Sequence, residues 1–143
     1  MNTVTDPVSV ANELRPVLLR LSRHLRRDLN DLGVTPVQVF VLGHISSEPG
    51  IGAAQLAELE GVSRPRMSKI VEKLVDGGLV VAERGTDRRR VGLEVTPAAR
   101  AVLRSVKKRR TAWLSSRLQR LEPDELETVE AAIPLLATLL EEA

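Results

Sequence analysis

The sequence predicts a mainly α-helical fold that contains one short β-hairpin. Apolar residues recur at intervals of three and four over most of the 143-residue chain, as they do along helices that bury one face. Thr, Ser, Pro and Gly stand between these stretches, at positions typical of helix starts and ends. Residues 79–95 instead contain two short β-branched runs around a polar centre, which indicates a hairpin.

The first two helices are predicted from their apolar stripes and their caps. A long helix is expected from about Val8 to Leu32, capped by Asp6 and ended by Gly33. Its stripe consists of leucines at helical spacing, namely Leu14, Leu18, Leu21, Leu25 and Leu29. A second helix is expected to begin after Thr35, which forms a capping-box pattern with Gln38, and to end near Ser47, before Pro49 and Gly50.

Two shorter helices with a tight turn between them are expected next. The first runs from about Ala53 to Glu60 and has apolar residues at Leu56, Ala57 and Leu59. Gly61 permits the turn, and the small Ala57 four residues earlier lets the two helices cross closely. Ser63 is expected to cap the second helix, which ends near Asp76 and has a core face of Met67, Ile70, Val71 and Leu74.

The hairpin and two long helices complete the chain. Strands are expected at residues 79–82 and 91–95, with a polar tip between them. A helix should follow Thr96-Pro97 and end near Arg120, and a last one should run from about Pro123 to Glu142. Helix, glycine turn, helix and hairpin is the order of a winged helix-turn-helix, so we expect that fold between long N- and C-terminal helices.

The basic residues are concentrated in the middle of the chain. Positions 1–60 contain five basic and seven acidic residues, whereas positions 61–120 contain 16 basic and five acidic residues. Positions 121–143 contain seven acidic residues and no basic residue. Such a block suggests a polyanionic partner. Arginine, with 17 of the 21 basic residues, suits bidentate contacts to phosphate and guanine, although a GC-rich genome gives the same bias. A solvated basic surface is the alternative.

The second helix of the motif carries the first set of candidate DNA contacts. In a helix-turn-helix this helix enters the major groove with its first turns. Arg64, Arg66, Ser68 and Lys69 are expected to point away from the core face and to reach base edges or phosphates. Ser63 and the helix N-terminus can hold a phosphate. The alternative is a solvated helix face.

The hairpin tip, or wing, carries the second set. Arg88, Arg89 and Arg90 are consecutive and repel one another unless an anion is near. A narrow minor groove concentrates negative potential and attracts inserted arginine. Asp87 is expected to pair with Arg89 and to hold its side chain in place. The alternative is a generic charged turn.

Together these residues resemble the MarR (multiple antibiotic resistance regulator) family over nearly the whole chain. The most specific part of the resemblance is the motif Asp87-Arg88-Arg89 together with its spacing from Thr96-Pro97, where the next helix begins. The helix-turn-helix alone would be a weak match. The other matching segments are Leu56-Ala57-Glu58, Gly61 to Pro65, Lys73-Leu74 and Gly78-Leu79-Val80.

The resemblance implies a transcriptional regulator, a repressor rather than an activator, that binds a pseudo-palindromic DNA operator as a homodimer. It implies one chain-length domain, 1–143, with a winged-helix DNA-binding lobe at 35–96 and a dimerisation lobe at 1–34 and 97–143. Family members often respond to small lipophilic or phenolic ligands, so such a ligand is a further candidate partner. The long apolar stripes of the end helices independently favour pairing of two copies.

Several other classes of function lack the residues that they need. The chain has no cysteine, which excludes thiol chemistry and redox sensing. His24 and His44 are too far apart in sequence for a paired metal motif, and no cofactor is expected. Ser/His/Asp ordering and a glycine-rich phosphate loop are missing, so an enzyme is not expected. Phe40 and Trp113 are expected to pack in the hydrophobic core.

The sequence also predicts the cellular location and leaves two alternative functions open. The N-terminal residues lack the basic and then apolar pattern of an export signal, and no stretch is apolar enough to span a membrane. A cytoplasmic location without a membrane partner is therefore expected. A DNA-coating protein with the same winged helix is the main alternative. A protein-interaction module is the other, and the arginines on both predicted reading elements argue against it.

Overall fold

Helices form most of the chain in the computed structural model, which describes residues 4–27, 29–84 and 91–142. A two-stranded antiparallel sheet accompanies them, so the predicted fold class is confirmed. The elements in chain order are α1 (Pro7–Arg26), a 3₁₀ turn (Asn30–Leu32), α2 (Pro36–Ser47), α3 (Ala53–Glu60), α4 (Arg64–Asp76), β1 (Val80–Arg84), β2 (Val91–Val95), α5 (Pro97–Leu118) and α6 (Pro123–Thr138).

The first helix ends earlier than its apolar stripe predicted. α1 ends at Arg26, Arg27 is extended, and the 3₁₀ turn follows separately, whereas a continuous helix to Leu32 was expected. Leu29 is buried in the core, although no residue of α1 is. Burying a leucine is worth roughly 1.5–3 kcal/mol, and Leu29 obtains this gain outside the helix.

The predicted helix caps are confirmed. The Asp6 carboxylate caps α1. The Thr35 hydroxyl accepts from the Gln38 N–H at 3.2 Å while the Gln38 side chain accepts from the Thr35 N–H at 3.0 Å, which completes the capping box. At the start of α4, the Ser63 hydroxyl accepts from the Arg66 N–H at 3.3 Å. These bonds satisfy N–H groups that have no partner within the helix.

The chain forms two compact units, one ending at Lys107 and one beginning at Lys108. The core of the first unit is built by α2, α3, α4, the hairpin and the start of α5. α5 contributes Ala99 and Val106 to it. The largest fully buried side chains are Val41, Leu42, Ile45, Leu56, Met67, Leu74 and Val80.

The hairpin is extended by a short segment between α2 and α3. β1 and β2 pair with Val80 opposite Val95 and Ala82 opposite Leu93. The Leu93 carbonyl accepts from the Gly50 N–H at 2.9 Å, and the Leu93 N–H donates to the Ile51 carbonyl at 3.1 Å. The base of the wing is therefore bonded to the loop that leads into α3.

The second unit contains the end of α5 and α6. No residue of α6 is buried. The helix ends four residues before the predicted Glu142, because the N–H groups of Leu139 and Leu140 bond three residues back in a tightened last turn. Trp113 of α5 is half-buried, and the Arg117 guanidinium lies 5.3 Å from its ring centre. Within the described residues, no helix combines the length and hydropathy that a membrane crossing needs.

Candidate nucleic-acid interface

The turn between α3 and α4 has the geometry of a helix-turn-helix. Gly61 has a φ of +73°, a left-handed conformation in which a side chain would be strained. The N–H groups of Gly61 and Val62 both donate to the Ala57 carbonyl, at 2.9 and 3.1 Å. Ala57 itself is buried. The chain therefore ends α3 and enters α4 within three residues, as predicted.

The orientation of α4 about its own axis is set by its buried face. Met67, Val71 and Leu74 are buried, and Ile70 packs against the same core. Rotation of the helix would expose these side chains, so its other faces stay outside. This anchoring determines which residues of α4 a nucleic acid can reach.

All five candidate residues of the recognition helix are exposed. Ser63, Arg64, Arg66, Ser68 and Lys69 lie at the cap and in the first two turns, where sequence reasoning placed them. The three cations stand at the positive end of the helix dipole. The arrangement can hold phosphate at the helix start and present guanidinium, ammonium and hydroxyl donors beyond it.

The charge of α4 changes sign along its length. The first two turns carry only cations, whereas Glu72, Lys73 and Asp76 in the last turns sum to one negative charge. A polyanion is therefore attracted to the N-terminal half and not to the C-terminal half. This polarity agrees with entry of the helix into a groove by its first turns.

The wing starts from the end of α4. The Leu79 N–H donates to the Leu74 carbonyl at 2.9 Å, and β1 begins one residue later. The strands Val80–Arg84 and Val91–Val95 confirm the hairpin. Its tip, with Asp87, Arg88, Arg89 and Arg90, lies outside the described residues, so the roles of these four residues stay predictions.

Phe40 is expected to pack in the core, and the two histidines are expected to be structural or surface residues and not a metal pair. Phe40 packs against the core of the first unit, and its ring centre is 4.3 Å from that of His44 on the same helix. His24 is exposed on α1. In the described part of the chain, no group of three or more histidine, aspartate or glutamate residues could hold a metal ion.

Sequence reasoning missed three features around this interface. Leu59 was read as an apolar position of α3, but it is 53% exposed and outside the core. The contact of Gly50 with the wing had no local signal, because its partners lie more than 40 residues away. A cleft between α4 and the hairpin was also not foreseen.

Comparison with known proteins shows which family the helix-turn-helix region resembles. Residues 32–90 match the model of the MarR family. A helix-turn-helix-type transcriptional regulator of Mycobacterium bovis is 28% identical over 135 residues, which cover 94% of each chain.

Solved structures extend the likeness over the whole fold. A transcriptional regulator from Pseudomonas aeruginosa has a TM-score of 0.79 at 25% identity and covers 99% of this chain and 100% of its own. The structure named MarR has a TM-score of 0.72 at 27% identity, and the alignment covers 87% of this chain and 95% of that chain. A mutant of Staphylococcus aureus MepR, solved with an oligodeoxyribonucleotide, shares the fold with a TM-score of 0.68 at 16% identity. That alignment covers 92% of this chain and 97% of the MepR chain.

These relatives are transcriptional regulators and not enzymes. The family match covers the helix-turn-helix and the first strand of the hairpin, and the structural likeness covers the second strand and the flanking helices as well. Residues 32–90 therefore resemble the MarR family of transcriptional regulators, and the whole chain has a fold similar to that of solved transcriptional regulators.

Proposed function

We propose that the protein is a sequence-specific transcriptional repressor that binds a pseudo-palindromic operator as a homodimer. One observation carries this proposal: the opposite face of α4 is locked in the core while its first two turns expose Arg64, Arg66, Ser68 and Lys69. These side chains are donors, and arginine and lysine match the acceptors of guanine in the major groove. The DNA bound to the structurally similar MepR protein supports the same class of partner.

The wing supplies the second contact in this proposal. Arg89 enters the minor groove, and Asp87 holds its guanidinium in position. Arg88 and Arg90 neutralise phosphates on either side. The hairpin supports this arrangement, because its base is bonded to the end of α4 and to Gly50, within the same compact unit as the recognition helix.

The homodimer is supported by apolar surface on the end helices. Neither α1 nor α6 has a buried residue. On α6, Leu126, Val129 and Leu136 are exposed, and Ile133 is 59% exposed. On α1, the exposed apolar residues are Val8, Val10, Val17, Leu18, Leu19 and Leu21. Exposed apolar surface of this extent favours burial against a second copy of the chain. In this dimer, residues 1–34 and 97–143 form the dimerisation lobe, and residues 35–96 form the DNA-binding lobe.

The dimer defines the operator and a mode of release. Two recognition helices separated by one turn of DNA, roughly 34–36 Å, require half-sites about 10 base pairs apart. A small lipophilic or phenolic ligand that favours another spacing would shift the dimer away from the operator. Since the partner is chromosomal DNA, we place this activity in the cytoplasm.

Selection of DNA from a random pool tests the proposal. The purified protein is mixed with random duplexes at about 150 mM salt, where weak phosphate contacts alone retain little DNA, and the bound fraction is sequenced. An inverted repeat with half-sites one turn apart is the expected result. Enrichment without a motif would favour the DNA-coating function instead, and no enrichment would overturn DNA binding.

A matched pair of variants links the selected motif to α4. Arg66→Ala removes an exposed cation from the recognition helix, whereas Arg100→Ala removes one from α5. We expect the first to weaken or broaden the motif and the second to leave it unchanged. Sedimentation of the same samples reports whether the bound species is a dimer.

A further inference from the structure

The two end helices, α1 and α6, carry apolar stripes in which intervals of three and four residues alternate. Helices with this spacing pair along a common seam. The stripe of α1 consists of Leu14, Leu18, Leu21 and Leu25. The stripe of α6 consists of Leu126, Val129, Ile133 and Leu136. None of these side chains is buried, so each helix has an apolar face that a second helix can cover.

The two helices have opposite net charges. α1 contains four arginines and one glutamate, a net charge of +3. α6 contains one aspartate, three glutamates and no basic residue, a net charge of −4. The residues beside the stripes follow the same division, because Arg15 flanks the stripe of α1 and Glu125 and Glu130 flank that of α6. Charges in such flanking positions select the partner helix.

These charges discriminate among the ways in which two copies can pair their end helices. Contact of α1 with α1 joins two cationic helices, and contact of α6 with α6 joins two anionic ones, so both are repulsive. Contact of α1 in one copy with α6 in the other joins opposite charges. A twofold dimer contains this contact twice, because each copy supplies one helix of each kind.

The other cationic helix, α5, uses its apolar residues within the chain. Ala99 and Val106 belong to the core of the first unit, to which α1 contributes no side chain. In the second unit, Leu114 and Leu118 of α5 line a groove of about 350 Å³ together with Leu126 of α6. Its described lining residues are all uncharged, so the groove continues the apolar stripe of α6. α1 is therefore the cationic helix that fits the stripe of α6.

We propose that two copies of the chain associate through reciprocal contacts between unlike helices, α1 of each copy with α6 of the other. This inference rests on the homodimer of the proposed function and specifies which helices meet in it. The apolar stripes pack along the seam, and Arg15 lies beside the acidic residues of the facing helix. Repulsion between like helices excludes the other arrangements, so the charges select one dimer.

Two charge-reversed variants of the full-length chain test the pairing. Arg15→Glu with Arg23→Glu lowers the net charge of α1 by four, from +3 to −1. Glu127→Lys with Glu130→Lys raises that of α6 by four, from −4 to zero. Sedimentation equilibrium at about 50 mM salt, where screening is weak, gives the dissociation constant of each dimer. We expect each variant alone to dimerise roughly tenfold more weakly than the wild type or worse, since two charges change in each of two contacts.

The sign of the effect and a mixture of the two variants separate unlike from like pairing. Pairing of like helices predicts tighter homodimers, because the reversals lower the repulsion. With unlike pairing, the mixed dimer contains one contact with wild-type charges and should be roughly fivefold tighter than either homodimer or better. This recovery also shows that both variants are folded. Wild-type affinity of the separate variants, or a mixture without preference for the mixed dimer, would refute the pairing.

Matched controls change the charge of the chain by the same amount outside the end helices. Lys73→Glu with Arg100→Glu is the control for the α1 variant, and Glu72→Lys with Glu94→Lys is the control for the α6 variant. All four residues are exposed. Both controls should dimerise as the wild type does, and weakening equal to that of the test variants would assign the effect to total charge and contradict the proposal.

Cross-linking gives a readout that does not depend on charge. The chain has no cysteine, so a bismaleimide reacts only with introduced thiols. Chains with Leu18→Cys and size-tagged chains with Ile133→Cys are mixed and cross-linked. We expect the product that joins the two kinds of chain to exceed both products that join chains of one kind. Predominance of either like product would overturn the proposal.

These experiments fail differently from the proposed function. A monomeric wild type would overturn the homodimer and the pairing together. A dimeric wild type without the expected response to charge reversal would refute only the pairing of unlike helices. Because none of the measurements uses DNA, they decide the pairing even if no operator is selected.

Discussion

The hydroxyl of Thr96 donates a 2.7 Å hydrogen bond to the carbonyl oxygen of Gly78, at the end of the recognition helix. The same hydroxyl oxygen accepts from the Ala99 N–H at 3.2 Å and so caps α5. The Thr96 N–H also donates to the Leu79 carbonyl at 3.0 Å. One residue therefore joins the end of α4 and the base of the wing to the start of α5.

Replacing Thr96 with valine keeps the shape of the side chain and removes both bonds of its hydroxyl. We expect a loss of about 1–2 kcal/mol in the free energy of unfolding, as for the loss of a helix cap. Urea unfolding measures it. Thr96→Ser retains the hydroxyl and should stay close to the wild type. Thr128→Val removes a hydroxyl bonded only within α6, to the Asp124 carbonyl, and should cost about 0.5 kcal/mol or less. Equal losses for the two valine variants would contradict the special role of Thr96.

Replacing Gly92 with alanine tests the contact between the wing and the loop before α3. A Cβ at this position would lie 3.1 Å from the Gly50 Cα, and the backbone there is held by its bond to Leu93. We expect a destabilisation of about 1–3 kcal/mol, as for overpacking, measured by thermal unfolding. Gly43→Ala is the control, because it lies within α2 with open space around it. That variant should be stabilised by about 0.5–1 kcal/mol. A neutral Gly92→Ala would show that the loop moves freely away from the wing.

Replacing Arg89 with alanine tests the wing in the DNA complex. Loss of a minor-groove contact should weaken operator binding roughly tenfold or more, a change of about 1.4 kcal/mol. Dimerisation and the melting temperature should not change, because an arginine at the predicted wing tip is not expected to contribute to the core or to the apolar faces assigned to the dimer. Fluorescence anisotropy with a labelled operator gives the affinity, and Arg100→Ala on α5 is the control. Unchanged affinity of Arg89→Ala would remove the wing from the mechanism.

Salt dependence tests the contribution of phosphate contacts. Raising the salt concentration from about 50 to about 200 mM should lower operator affinity by a factor on the order of 10³ or more if several phosphates are neutralised. The slope of log affinity against log salt counts these contacts, and removing one phosphate-binding cation should reduce it by about one. An affinity that does not respond to salt would contradict the basic surface as the origin of binding.

The helix-turn-helix was predictable because its signals are local. α3 occupies Ala53–Glu60 as expected, and the caps at Thr35 and Ser63 bond to residues three positions away. The spacing of Met67, Val71 and Leu74 correctly predicted the buried face of α4. Interactions over one turn of helix depend on neighbouring residue types, which the sequence displays directly.

The order of the helices, their caps, the turn at Gly61 and the cationic start of α4 can all be predicted from neighbouring residue types. Three other features cannot: Leu29 lies in the core and outside α1, Gly50 pairs with β2, and Thr96 bonds to a residue 18 positions away. The cleft that small residues of α3 and β1 leave beside the recognition helix is a fourth. These features depend on contacts between distant segments, whose energies are set by packing and burial and not by local conformational preference.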